Sequence, residues 1–276
     1  MAHSQDKSSA LGQGVVIFVY LTVLTVLEYF VAVTFNATSL LVVVAIIKAA
    51  LVMYYFMHIY KLNEESKGDE HSYEYKTGTN RLGLWLFLLS DAFVFAGLLV
   101  MRANLLGLTR PHLNQMLGLV VTAVLLISSF FMNRGETLMA KGDRDGFMKN
   151  TLITFILGFG FLLGVVVIEW RAIPAIAEPI LHFFGEAEGV EVLTAATGNP
   201  AVGPLGGVFY MMTGMHAFHV LTGLIFLAVV WNNARKGVYT AEQHWGVEAA
   251  AVYWHFVDLV WIFFYPALYL IGTAVQ

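Results

Sequence analysis

His216 and His219 lie three residues apart in one apolar run, and His255 and Asp258 repeat that spacing in the next. Residues three apart share a helix face, so each pair presents two ligating or proton-handling groups side by side. Glu248 falls two turns below His255 on much the same face. If the two helices pack face to face, three imidazoles and a carboxylate converge, enough for a metal on ligand count alone. The same groups equally make an interhelical hydrogen-bond network. The spacing is not the Glu-x-x-His of paired di-iron helices, and the Phe- and Tyr-rich faces do not favour a haem. Cys is absent, which excludes Fe–S clusters, disulfides and thiolate catalysis.

Other ionisable groups sit in earlier apolar runs. Asp91 lies roughly 12 Å from the inner end of its run, near the depth of His255. It reads either as a proton-handling carboxylate or as a buried acid satisfied by a His, a Ser or water. Glu169 closes the fifth run and joins this set of buried polar groups. Glu28 and Lys48 lie roughly 21 and 18 Å from the inner ends of consecutive antiparallel helices, a depth match that predicts an intramembrane ion pair. The alternative is that each faces a separate partner subunit.

The elements that position these groups follow from composition. Hydrophobic residues make up 58% of the 276 and charged residues only 12%, against about 25% charged in soluble domains. The mean hydropathy is +0.72. This is an integral membrane protein, and its net charge of −4 argues against a nucleic-acid partner. The first apolar run is too long for a cleavable signal and carries Glu28, so it reads as a retained span. Seven runs are long enough to cross a bilayer: 14–35, 40–60, 83–104, 115–133, 151–170, 205–231 and 247–271. No stretch alternates as a barrel strand must. The expected fold is all-α and polytopic, with seven transmembrane helices.

Eleven loop cations fall on one side and three (Arg102, Arg110 and Arg171) on the other. The positive-inside rule therefore predicts an inside N-terminus. Polar residues 63–80 read as a linker between a two-helix unit, 1–62, and a five-helix bundle, 81–276. A long outer loop, 172–204, carries four prolines and a candidate amphipathic segment around 176–184. Gly160 and Gly164 form a Gly-x-x-x-Gly, Gly214 and Gly223 line the sixth span, and Ala249 to Ala251 give the last helix a close-approach surface.

Several ordered blocks resemble subunit III of the haem-copper cytochrome c oxidases over residues 81–272. They are the third span around Leu89-Ser90-Asp91, Leu113-Asn114 at the start of the fourth, and Thr213-Gly214-Met215-His216-Ala217-Phe218-His219-Val220. The most specific is Glu248-Ala249-Ala250 through Tyr253-Trp254-His255-Phe256-Val257-Asp258 to Trp261. Leu27-Glu28, Ile47-Lys48-Ala49-Ala50 and Phe56-Met57-His58 resemble the small prokaryotic oxidase subunit IV, so the chain looks like a IV/III fusion; the rival reading makes the hairpin a diverged form of the two leading helices of seven-helix subunit III. Two departures stand out. Asp91 replaces the family's usual Glu, and Met132-Asn133-Arg134-Gly135-Glu136 replaces a His-rich end of the fourth helix.

The resemblance implies a non-catalytic structural subunit of a proton-pumping aerobic terminal oxidase, in a prokaryotic inner membrane. Haem and copper would reside in partner subunits and none in this chain. Subunit I would be the main partner, with subunit II and other respiratory subunits beside it. Bound phospholipid is implied, as is support for assembly, proton uptake and turnover stability. Two other readings stay open on the residues alone. One is a membrane metalloenzyme using His216, His219, His255 and Asp258; the other is a proton-coupled carrier using Asp91 and Glu248.

Overall fold

A computed structural model describes residues 2–35, 37–63, 72–110, 113–170 and 202–274. Among these residues, seven helices are long and apolar enough to cross a membrane. Inside hydrocarbon each backbone donor and acceptor must be met within the segment, which is why these apolar runs fold as helices. The chain is an all-α, multi-pass membrane protein.

The helices are α1 (Ala2–Phe35), α2 (Thr38–Leu51), α3 (Tyr73–Leu106), α4 (Gln115–Ala140), α5 (Arg144–Leu163), α6 (Val202–Arg235) and α7 (Trp245–Tyr265). Three of them continue into a wider π turn: α2 through Val52–Phe56, α5 through Gly164–Glu169 and α7 through Pro266–Leu270. A short 3₁₀ turn, Ile59–Asn63, follows α2.

Two boundaries differ materially from the hydropathy reading. α3 starts at Tyr73, so the polar stretch read as a linker is helical over its second half. Ser72 caps it, its Oγ accepting from the Tyr75 amide at 3.2 Å. α4 runs to Ala140, which places Asn133 to Glu136 inside the helix and not in a loop. Hydropathy registers only the apolar part of a helix, and both extensions are polar. The candidate amphipathic segment at 176–184 lies outside the described residues.

α7 is the axis of the fold. It packs against α2, α3, α4 and α6, and 83% of its apolar window is buried against 17% for α3. α1 lies on α2 and α4, and α5 lies on α4 and α6. Small residues set the close approaches. A Cβ on Gly158 would fall 2.6 Å from Trp254 Cζ2, and one on Gly118 would fall 2.6 Å from Tyr269 Cδ1. Of the Gly-x-x-x-Gly read in the sequence, Gly164 makes a close approach, its Cβ position 3.1 Å from Val121 Cγ1 on α4, whereas Gly160 has nothing within 4 Å and the tightest contact of α5 is at Gly158.

The end of the bundle that carries the α3–α4 connection is locked by Arg102. Its guanidinium donates to the carbonyls of Ala267 (2.8 Å), Gly107 (2.7 Å), Thr109 (3.2 Å) and Ile271 (2.9 Å). These carbonyls include the unpaired ones at the end of α7, which carry partial negative charge. Thr109–Arg110 and Thr273–Ala274 pair as a two-residue parallel bridge. Gly272 sits at φ +96 against the Leu108 carbonyl, where any Cβ would collide.

Candidate functional site

Asp91, on α3, faces His219 on α6, with Oδ2 3.3 Å from Nε2 but without the alignment of a hydrogen bond. His219 Nδ1 lies 2.8 Å from the Met215 carbonyl of its own helix. A carbonyl only accepts, so Nδ1 carries the ring's proton, and any further proton lies between Nε2 and the carboxyl. Phe95 packs edge-on against the imidazole at 4.8 Å between centroids. The residue facing Asp91 is thus His219, and not His255, to which matching depth pointed.

The other two histidines look elsewhere. His216 is fully buried among Trp261, Phe161 and Phe264, at 4.9, 5.6 and 6.1 Å between centroids, and neither ring nitrogen has a hydrogen-bond partner. His255 is fully buried against Phe56, and its Nδ1 lies 3.2 Å from Ser129 Oγ on α4. Asp258 is buried beside that same Ser129, in the field of Lys48. The cluster of His216, His219, His255 and Asp258 therefore does not assemble. α6 and α7 do pack together, but the four groups point to different neighbours. Among the described residues, no three His, Asp or Glu side chains are grouped to hold a metal.

α7 is held to α4 by its tryptophans. Trp254 Nε1 donates to Ser128 Oγ at 3.0 Å, and Trp261 Nε1 donates to Thr122 Oγ1 at 2.9 Å. A buried indole N–H left unmet is costly, so Ser128 and Thr122 fix the register of the two helices.

Charges tie the first two helices to the rest. Lys48 and Glu28, both buried, form an ion pair across α1 and α2. At the opposite end of the bundle from Arg102, Glu248 Oε1 accepts from Arg81 Nη2 at 2.8 Å and Nε at 3.1 Å, and Lys61 Nζ stands 3.7 Å away. One carboxylate in the first turn of α7 thus gathers α3 and the end of the hairpin. Arg81 and Lys61 are missed by hydropathy, which counts them as ordinary loop cations; the helix start at Tyr73 is what brings Arg81 into range. The side chain of Glu169 lies outside the described residues.

These interactions hold the charged groups of the described residues at fixed positions. Comparison with known proteins places the chain. Residues 180–273 match the family model described as cytochrome c oxidase subunit III. The chain is 32% identical to the cytochrome c oxidase subunit 3 of Thermostichus vulcanus over 197 residues, covering 69% of this chain and 86% of that one. It belongs to the cytochrome c oxidase subunit III family. The subunit 3 of a Synechocystis strain is 30% identical, over 74% of this chain and 81% of its own. That of Rattus norvegicus is 32% identical, over 70% of each. Residues 15–66 match a second family model, prokaryotic cytochrome c oxidase subunit IV. A subunit IV hairpin is thus fused ahead of subunit III. Glu28 and Lys48 both lie in the subunit IV match, and Glu248 and Lys61 join the two parts.

Proposed function

We propose that this chain is a non-catalytic structural subunit of a proton-pumping aerobic terminal oxidase, in the inner membrane of a prokaryote with its N-terminus inside. Haem and copper reside in its partners, subunits I and II, and the chain supports assembly, proton uptake and the turnover stability of subunit I. The division at residues 62 and 81 separates a subunit IV-like unit from a subunit III-like one.

One observation carries the reading. The family block from Glu248 to Trp261 forms the buried spine of the bundle, with its charged and aromatic groups directed at α3, α4 and the hairpin. A reaction centre needs groups free to meet a substrate, and Glu248, which a carrier reading requires, is held by two cations.

Two apolar cavities support bound phospholipid. One, of about 350 Å³, lies between α3, α6 and α7 with Phe87, Phe226 and Ala249 in its walls; another, of about 320 Å³, lies between α5 and α6 against Phe155 and Leu227. Each is the size and polarity of a slot for acyl chains.

The test is purification of the tagged full chain from its native membrane. Haem absorbance and oxygen consumption should accompany it, and a deletion strain should yield an oxidase that loses activity during turnover. A chain that purifies without haem-bearing partners overturns the proposal.

A further inference from the structure

A third cavity differs from the two apolar ones. It has a volume of about 240 Å³ and is lined by α1, the end of α2 and α4, with no residue of α3, α5, α6 or α7 in its wall. Gln13, Tyr54, Tyr55, His58, Tyr60 and Asn133 face it. Asn133 is buried there and His58 Nδ1 is buried with no hydrogen-bond partner among the described residues, while Gln13, Tyr54 and Tyr60 stand at the exposed mouth. A buried polar atom is normally satisfied, so the unmet His58 Nδ1 needs a reason.

The backbone is shaped around the same place. Among the described residues, His58 is the only non-glycine with positive φ, at 50°. That conformation costs of order 1–3 kcal/mol and persists where surrounding structure holds it. Gly14 makes the second accommodation, since a Cβ there would fall 2.9 Å from Asn133 Oδ1. A glycine thus makes room for the Asn133 amide.

The lining also selects. It contains no Asp, Glu, Lys or Arg. Burial and the neighbouring Lys61 ammonium push the His58 imidazole down to about 4, so it is neutral at physiological pH. The walls therefore offer hydrogen bonds and aromatic faces without charge. A volume below the roughly 300–1,000 Å³ of drug-sized pockets suits a single headgroup. Along α1, Val16 and Tyr20 continue from Gln13 at helical spacing and are exposed, a flank on which acyl chains can lie.

We propose that this cavity binds the uncharged, polyhydroxylated headgroup of a membrane glycolipid, in the leaflet on the side of the α2–α3 connection. The occupant's hydroxyls pair with Gln13, Asn133 and the three tyrosines, and a sugar face rests on the tyrosine rings. The site rests on the chain's membrane-spanning fold and is independent of its role in an oxidase.

The experiment uses the full chain, purified with whatever subunits accompany it, in nanodiscs of phosphatidylcholine with or without monoglucosyl diacylglycerol. Native mass spectrometry counts retained glucosyl lipid. The expected result is one glucosyl lipid held by the wild type and lost from Asn133→Leu, which replaces the buried amide in the wall by a bulkier apolar group. Gln13→Ala and Tyr54→Phe remove donors at exposed positions and bury nothing new. Each should weaken retention by roughly tenfold, about the loss of one good hydrogen bond. Equal retention by the wild type and these two variants overturns the site, whether or not Asn133→Leu assembles. Phosphatidylcholine held equally well against glucosyl lipid also overturns it. Full competition by methyl glucoside overturns the lipid assignment in favour of a soluble sugar.

Discussion

Asp91 Oδ2 and His219 Nε2 lie 3.3 Å apart while His219 Nδ1 is committed to the Met215 carbonyl. The pair therefore holds at most one proton between its facing atoms, as imidazolium with carboxylate or as imidazole with carboxylic acid. It joins α3, the least buried span, to α6.

Removing either member exposes the difference between pairing and charge. His219→Ala leaves the Asp91 carboxyl without its partner and should lower stability by about 1–3 kcal/mol. Asp91→Asn keeps a donor facing Nε2 and should cost less. Thermal unfolding of the purified chain ranks the two. An Asp91→Asn variant as unstable as His219→Ala would show that the contact depends on charge and not on a filled hydrogen-bonding position.

The Glu28–Lys48 pair is the stronger case, because both side chains are buried. Breaking a buried pair from one side strands a charge and typically costs about 3–5 kcal/mol, whereas replacing both partners by apolar groups is often neutral. Glu28→Gln alone should destabilise the hairpin clearly, and Glu28→Leu with Lys48→Met should restore most of the loss. Additive losses in the double variant would mean the two charges do not depend on one another.

The helix faces of α5 give a packing test. Gly158→Ala drives a methyl into the Trp254 ring and should cost about 1–3 kcal/mol by overpacking. Gly160→Ala meets open space and should be neutral or slightly stabilising, since alanine is the better helix former. Comparing the two midpoints checks which glycine carries the contact.

That contrast shows what a sequence carries. Seven apolar runs, their order and the family block on α7 are local properties, and each is readable from residue types and spacing. Equal depth on adjacent antiparallel helices is also local arithmetic, and Glu28 and Lys48 are in contact. Depth without a known neighbour is not enough: Asp91 matches His255 in depth but meets His219, because α3 packs beside α6. Helix rotation is equally hidden, and it decides between Gly158 and Gly160. Polar helix ends fall below a hydropathy threshold, so the bonds of Arg81 to Glu248 were invisible, although Ser72 followed by Glu74 is a readable helix start.

Arg102 illustrates a cation counted as a loop charge that is a clamp. It reaches four carbonyls at once, and a lysine, with three donors on one nitrogen, cannot span them. Arg102→Lys should therefore cost about 1.5–3 kcal/mol, the range of a charged hydrogen bond. Faster proteolysis of the C-terminal residues checks the loss locally. Wild-type protection in the variant would assign the clamp to the Thr109–Thr273 bridge instead.

His58 gives a pH dependence with a definite sign. Burial, then the Lys61 ammonium, push its imidazole from an ordinary 6.5 down to about 4, with Glu248 pulling the other way. Between those values the unfolded chain binds a proton that the folded chain refuses, so stability falls as pH falls through the window and is unaffected above it. His58→Asn removes the titration and tolerates the positive φ better than most residues. The difference in unfolding midpoint between wild type and His58→Asn should be constant above about pH 7 and shift against the wild type towards about pH 4.5. A difference that stays flat across that range would mean the imidazole is protonated in the folded protein as easily as in the unfolded one, and that the wall it forms is open to water.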